Sequence, residues 1–222
     1  MATYDLEEQE QLSAIKTWWQ MHGNLITTIA VVAAVGVVSY QGWQWYQRGQ
    51  SAQASAVYAA VQKAVAEKDA KKAKEAAGTL LESYSGSSYA GMGALLSAKA
   101  QVEAGDLKTA RAQLAWAADN ARDAELKDLA RLRLAAVLFD EKSYDEALKQ
   151  LEREPLEPFA ARYAEMRGDI YAAQNKRNEA KAAYQNAIAK IAARPKSGPE
   201  STTNSAYGEL LQVKLEALGD GQ

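Results

Sequence analysis

The chain has 222 residues, with 26 Lys+Arg against 28 Asp+Glu, one His and no Cys, which is long enough for one globular domain with an appendage or for a single repeat array. A formal charge of -2 provides no electrostatic attraction to nucleic acid, so no nucleic-acid partner is expected. Without thiols and with His22 alone, thiolate nucleophiles, disulfide frameworks, zinc fingers and His-based triads are excluded, and neither a metal nor a cofactor is expected.

Residues 1–23 form a short acidic segment, with Asp5, Glu7, Glu8 and Glu10 against Lys16. Between Lys16 and Arg48 there is no Asp, Glu, Lys or Arg, and residues 25–38 are almost wholly apolar. Extended through Tyr46, this stretch gives about 33 Å of helix at about 1.5 Å per residue, so residues 24–46 are expected to form a transmembrane helix. Trp18 and Trp19 stand before its apolar core, and Trp43, Trp45 and Tyr46 after it. Such rings sit among lipid headgroups with their polar edge in water, so these five residues are expected to anchor the helix in membrane lipid, with His22 beside them as an interfacial residue.

Ala52 and Ala54, or Ala54 and Ala56, resemble the small residues of a signal-peptide cleavage site. The leading segment is acidic where a signal peptide is basic, and the aromatic stretch separates the apolar core from those alanines, which favours an uncleaved anchor. Charge does not orient it, because Lys16 on one side is matched by Arg48 and then Lys63 on the other.

Setting aside Lys16, Arg48 and the four acidic residues of the leading segment, residues 49–222 hold 24 charges of each sign. Ala, Leu, Lys, Glu and Gln dominate, the alternation of strands is missing, and the domain is expected to be all-α. Its clearest internal motif is Gly168 with Tyr171, followed by Ala180 with Tyr184. Earlier copies are Ala98 with Ala110, Leu114 and Ala117, and Ala135 with Ala147 and Leu151; a weaker first copy pairs Val61 with Ala73. In each, a residue on the first helix of a pair precedes a small residue on the second by 12 positions. The pattern resembles the tetratricopeptide repeat, in which helical hairpins stack into a solenoid.

Residues 47–194 are therefore expected to be a tetratricopeptide-like array with second-helix alanines at 73, 110, 147 and 180. Their spacings of 37, 37 and 33 point to insertions absorbed in the connecting loops. Turns fall at Gly105 and Asp106, at Lys142 and Ser143, and at Asn175 and Lys176, while Pro155 and Pro158 interrupt the chain between the third and fourth repeats. Residues 195–206 are expected to be a loop and residues 207–222 a capping helix and tail, in which Leu211, Leu215 and Leu218 form the apolar stripe that closes a solenoid.

No catalytic constellation emerges, and an enzyme is not expected. Glu165 and Asp169, four apart on one helix, are expected to be a solvated face rather than an acid–base pair. The scattered Gly86, Gly91 and Gly93 do not form a phosphate loop. What remains is the concave surface that first helices present to another polypeptide. By the repeat register, Met92, Leu95, Lys99 and Val102, then Leu129, Leu132 and Phe139, then Arg162, Glu165 and Asp169 line that side and are the candidate partner-binding residues. Packing within the array is an equal alternative for any one of them.

An anchor followed by a short repeat domain, with the acidic lead into Ala14 and Lys16, Trp18 and Trp19, Gly42 with Trp43, Trp45 and Tyr46, Leu126 with Lys127, residues 131–135, Arg167 with Gly168 and residues 212–218, is similar to the YfgM-like family of ancillary SecYEG translocon subunits. The resemblance implies a bacterial inner-membrane protein with its N-terminus cytoplasmic and its C-terminal domain periplasmic. It also implies SecYEG, the periplasmic chaperone PpiD and exported polypeptides as partners, and a non-enzymatic tethered adaptor that assists passage or handover of exported proteins. A tethered scaffold for peptidoglycan or outer-membrane assembly, or a stress-response regulator, remains the alternative.

Overall fold

The computed structural model describes residues 3–193 and 200–219. Every regular element among them is an α-helix: α1 (Thr3–Ala66), α2 (Ala70–Ser83), α3 (Ser88–Glu103), α4 (Leu107–Asn120), α5 (Ala124–Asp140), α6 (Tyr144–Gln150), α7 (Glu157–Ala173), α8 (Arg177–Ala192) and α9 (Glu200–Ala217). The chain divides into two compact units, residues 1–50 and residues 51–222.

The first unit is helical throughout its described residues. Most of its bulky apolar side chains, among them Leu25, Ile29, Val32, Val35 and Val38, are more than half exposed. A helix that is apolar all round with no protein against it has lipid as its solvent. It is the one helix among the described residues long and apolar enough to cross a membrane. The hydroxyls of Thr27 and Thr28 donate to the carbonyls of Gly23 (2.7 Å) and Asn24 (2.8 Å) one turn back, so neither enters the bilayer unsatisfied. Trp18, Trp19, Trp43 and Trp45 are all exposed on the helix surface, while the side chain of Tyr46 lies outside the described residues.

In the second unit the hairpins are residues 51–66 with α2, α3 with α4, α5 with α6, and α7 with α8. Each pair is joined by the same turn. A residue of positive φ ends the first helix: Lys68 (57°), Gly105 (80°), Lys142 (59°) and Asn175 (59°). Its N–H donates three residues back and the next N–H five residues back, as in Asp69 to Ala64 (2.9 Å), Asp106 to Gln101 (2.9 Å), Ser143 to Leu138 (2.8 Å) and Lys176 to Tyr171 (2.9 Å). This is a Schellman stop, and it satisfies carbonyls that a helix end otherwise leaves open. In the first two hairpins the residue after the turn also caps the next helix: Asp69 Oδ1 accepts from Lys72 N and Asp106 Oδ1 from Thr109 N, both at 3.0 Å.

All residues of the 12-position pairs are buried: Val61 with Ala73, Ala98 with Ala110, Ala135 with Ala147 and Gly168 with Ala180. Leu114 and Leu151 lie in the main core, which runs from Ala94 to Ile170, whereas Tyr184 belongs to a C-terminal cluster with Ile191 and Leu211. At Gly168 the approach is closest, because a methyl group there would run into the Tyr184 ring. That ring is fixed, its hydroxyl donating to Asp169 Oδ1 at 2.7 Å.

Two sequence expectations are corrected. The shorter third spacing does not come from loop insertions elsewhere. It comes from α6, a second helix of only 7 residues against 14 for α2 and for α4. The chain leaves it through the connection holding Pro155, and Pro158 sits in the first turn of α7. There the buried Asp128 accepts from Leu156 N (2.8 Å), and its carbonyl accepts from the Tyr163 hydroxyl (2.9 Å), fastening the connection to α5 and α7. Secondly, α9 begins at Glu200, so residues 200–206 of the expected loop are helical. Residues 195–199 lie outside the described residues.

Replacing Gly168 by Ala is expected to destabilise the domain by about 1–3 kcal/mol through overpacking against Tyr184, read as a lower urea midpoint. Lys142→Gly is expected to shift that midpoint upward by about 0.5–1 kcal/mol, since it relieves a side chain held at positive φ and is offset only in part by the freer unfolded chain.

Candidate partner-binding face

The first helices α3, α5 and α7 supply the residues that the register places on the concave side. On α3, Leu95 is 4% exposed and belongs to the main core, Met92 is half-buried, Val102 is 39% exposed, and Lys99 is exposed and ion-paired with Glu103 at 3.8 Å. On α5, Leu129, Leu132 and Phe139 are half-buried and pack against the main core, Phe139 against the Tyr144 ring at 5.8 Å between centroids. Val102 and Lys99 are thus the open candidates here, while Leu95 serves packing.

The third group meets a different fate. Glu165 is 8% exposed, so the expectation of a solvated carboxylate face is overturned. α9 lies over it. Lys214 Nζ donates to Glu165 Oε1 (2.9 Å) and to both oxygens of Asp169 (2.8 and 2.9 Å). The hydroxyl of Tyr207 donates to Glu165 Oε2, and that of Tyr184 to Asp169 Oδ1. Arg162 Nη1 reaches Glu165 Oε2 at 3.5 Å, and its guanidinium lies 4.0 Å from the Tyr207 ring centroid. Two carboxylates, two cations and two phenols thus saturate one another, with Leu211 buried beside them. Burial without such partners is prohibitive for a carboxylate.

Sequence reasoning found the apolar stripe of this helix and missed its polar partners, although the signal was present. Tyr207, Leu211 and Lys214 recur at i, i+4 and i+7, on the face that meets α7 and α8. Among the described residues no group of three or more His, Asp or Glu is placed to hold a metal ion.

The cluster shifts its own titrations in one direction. Burial raises Tyr184 and Tyr207 above the usual tyrosine range, reinforced by their bonds to Asp169 and Glu165 respectively. Burial works against the charge of Lys214, but its hydrogen bonds to Asp169 and Glu165 outweigh it and raise its pKa. All three are raised, so the stability they add is complete below the unfolded tyrosine value of 10.0 and is lost as pH climbs through the folded values. Alkaline unfolding is therefore expected to begin above pH 10.0, followed as tyrosinate absorbance with helix signal. Lys214→Met, which strands two carboxylates, is expected to cost about 2 kcal/mol at neutral pH by urea titration.

The sequence matches known proteins over nearly its whole length. A family model described as tetratricopeptide repeat-like domain covers residues 16–220. An ancillary SecYEG translocon subunit of Neisseria gonorrhoeae is 32% identical over 96% of this chain and 98% of its own. Proteins of the same name are 32% identical in Haemophilus influenzae, over 83% of this chain and 90% of theirs, and 27% identical in Escherichia coli, over 95% and 96%. With its membrane-crossing helix and stacked hairpins, the chain belongs to the tetratricopeptide repeat-like family of ancillary SecYEG translocon subunits.

Proposed function

We propose that this protein is a non-enzymatic adaptor of the Sec translocon, held in the bacterial inner membrane by one helix. The observation that carries the proposal is the end-to-end match, anchor and repeats together, to relatives named as ancillary SecYEG translocon subunits. In this reading residues 1–23 are cytoplasmic and the repeat domain periplasmic. The domain engages the membrane-anchored chaperone PpiD and assists passage or handover of exported polypeptides. Trp18, Trp19, Trp43, Trp45 and Tyr46 seat the helix in the lipid headgroups. Val102 and Lys99, with the half-buried Met92, Leu129, Leu132 and Phe139, form the part of the first-helix face that a partner meets.

A helix-hairpin array suits such a role physically. It offers a broad surface without needing a cofactor, and tethering to the bilayer raises its effective concentration beside other membrane complexes. The test is capture of the full-length protein by a C-terminal tag from membranes in mild detergent, beside residues 49–222 alone. SecYEG subunits and PpiD are expected with the full-length protein and reduced without the anchor. Recovery of wall-building or outer-membrane assembly factors in place of the translocon would favour the scaffold alternative.

A further inference from the structure

The second helices α2 and α4 enclose a groove of about 990 Å³ that the first-helix face does not share. Its walls combine Gly78, Leu81, Ala112 and the half-buried Trp116 with polar and charged residues along the rim. Gln113 lines it, is 7% exposed, and has a side-chain oxygen with no hydrogen-bond partner.

Charge is not spread evenly along the groove. Lys71, Lys74 and Lys108 gather near the start of both helices, with Asp106 between them. Asp106 is already committed, capping α4 through Thr109 N and facing Lys74 at 3.9 Å, while Lys74 also donates to Thr109 Oγ1 at 2.9 Å. Among the described residues neither Lys71 nor Lys108 has a salt bridge or side-chain hydrogen bond, which leaves this end basic. Glu75 lies further along, and the far end carries Leu81, Glu82 and Trp116.

We propose that this groove is a second docking site, and that its occupant is an extended polypeptide segment bearing a carboxylate and, further along, an apolar side chain. The carboxylate meets Lys71 and Lys108, and the apolar side chain packs on Trp116 and Leu81. The dimensions agree with an extended strand. From Lys71 to Glu82 the groove measures about 16 Å along α2, or about five extended residues. From Lys108 to Trp116 is about 12 Å, which sets the acidic and apolar side chains about four residues apart, on the same side of a strand. The site is independent of the translocon reading, since it lies on second helices and requires no other protein of the membrane.

The test uses full-length protein in nanodiscs and fluorescence anisotropy of a short labelled peptide of Gly and Ser carrying Asp at one end and Leu about four positions later. Saturable binding is expected. It should weaken about fivefold or more when Asp becomes Asn, and about tenfold with the Trp116→Ala protein. The surface pair Lys71→Glu with Lys108→Glu leaves the core untouched and should abolish the preference for the Asp peptide, which keeps the test decisive even if Trp116→Ala misfolds. Val102→Asp, on the first-helix face, should change nothing. The proposal is overturned by equal affinity for the Asp and Asn peptides, by a charge-reversed protein that keeps the preference, or by loss of binding with Val102→Asp alone. Failure of the peptide to bind, accompanied by self-association that the charge-reversed pair abolishes, would assign the groove to a second copy of the chain.

Discussion

Everything in the repeat domain follows from how closely two helices approach within a hairpin. Small side chains at the crossing let the pair approach closely, so one stands on the second helix each time, at Ala73, Ala110, Ala147 and Ala180, and on the first at Ala98, Ala135 and Gly168, with Val61 the larger exception in the first hairpin. The separation of 12 is the geometric consequence of one turn design, in which the positive-φ residue always lies seven after the first-helix position and five before the second. Turn and crossing are thus a single constraint. The chain meets it with glycine at 105 but with Lys68, Lys142 and Asn175 elsewhere, accepting backbone strain because the packing beyond the turn over-determines it.

Contacts between hairpins are more varied, and this shows which interactions tolerate change. Lys74 on α2 reaches Thr109 and Asp106 of the next hairpin, and Arg111, 37 positions later, reaches Glu141 (3.4 Å) and Glu146 (2.6 Å) of the one after. The next equivalent position is Leu148, half-buried against the core. Exposed ion pairs of this kind contribute at most about 1 kcal/mol each, so an apolar residue replaces one at little cost. Where the short α6 ends, Asp128 and Tyr163 take over through one buried and one part-buried hydrogen bond.

The fold class was legible because it rests on local chemistry. An uncharged run of apolar residues and a repeated small-residue interval both survive without knowledge of the third dimension. The length of α6 was not legible, since the sequence after Leu151 carries helix-compatible Glu and Arg before Pro155; the early stop is held by distant residues, Asp128 bonding Leu156 N and Arg167 Nη1 the Leu151 carbonyl at 3.2 Å. Nor was the setting of Glu165. Carboxylates four apart on a helix are ordinarily solvated, and the residues that reverse this, Tyr207 and Lys214, lie 42 and 49 positions away. The candidate face was legible as a register but not as an exposure: Leu95 and Val102 occupy comparable positions on one helix, and tertiary packing hides the first while leaving the second open. The amide of Gln113 carried no sequence signal at all.

The aromatic residues flanking the membrane helix set a length scale. Trp19 and Trp43 are separated by about 36 Å along the axis, a little more than the hydrocarbon thickness of about 30 Å. With these rings seated at the headgroups as proposed, the helix acts as a ruler. In a bilayer of matching depth both indole girdles reach the headgroups with the axis near the normal, whereas in a thinner one the helix must tilt to keep them there, at a cost of fractions of a kcal/mol per Å of mismatch. A membrane locally thinned around another integral protein would thus impose a tilt that the surrounding bilayer does not.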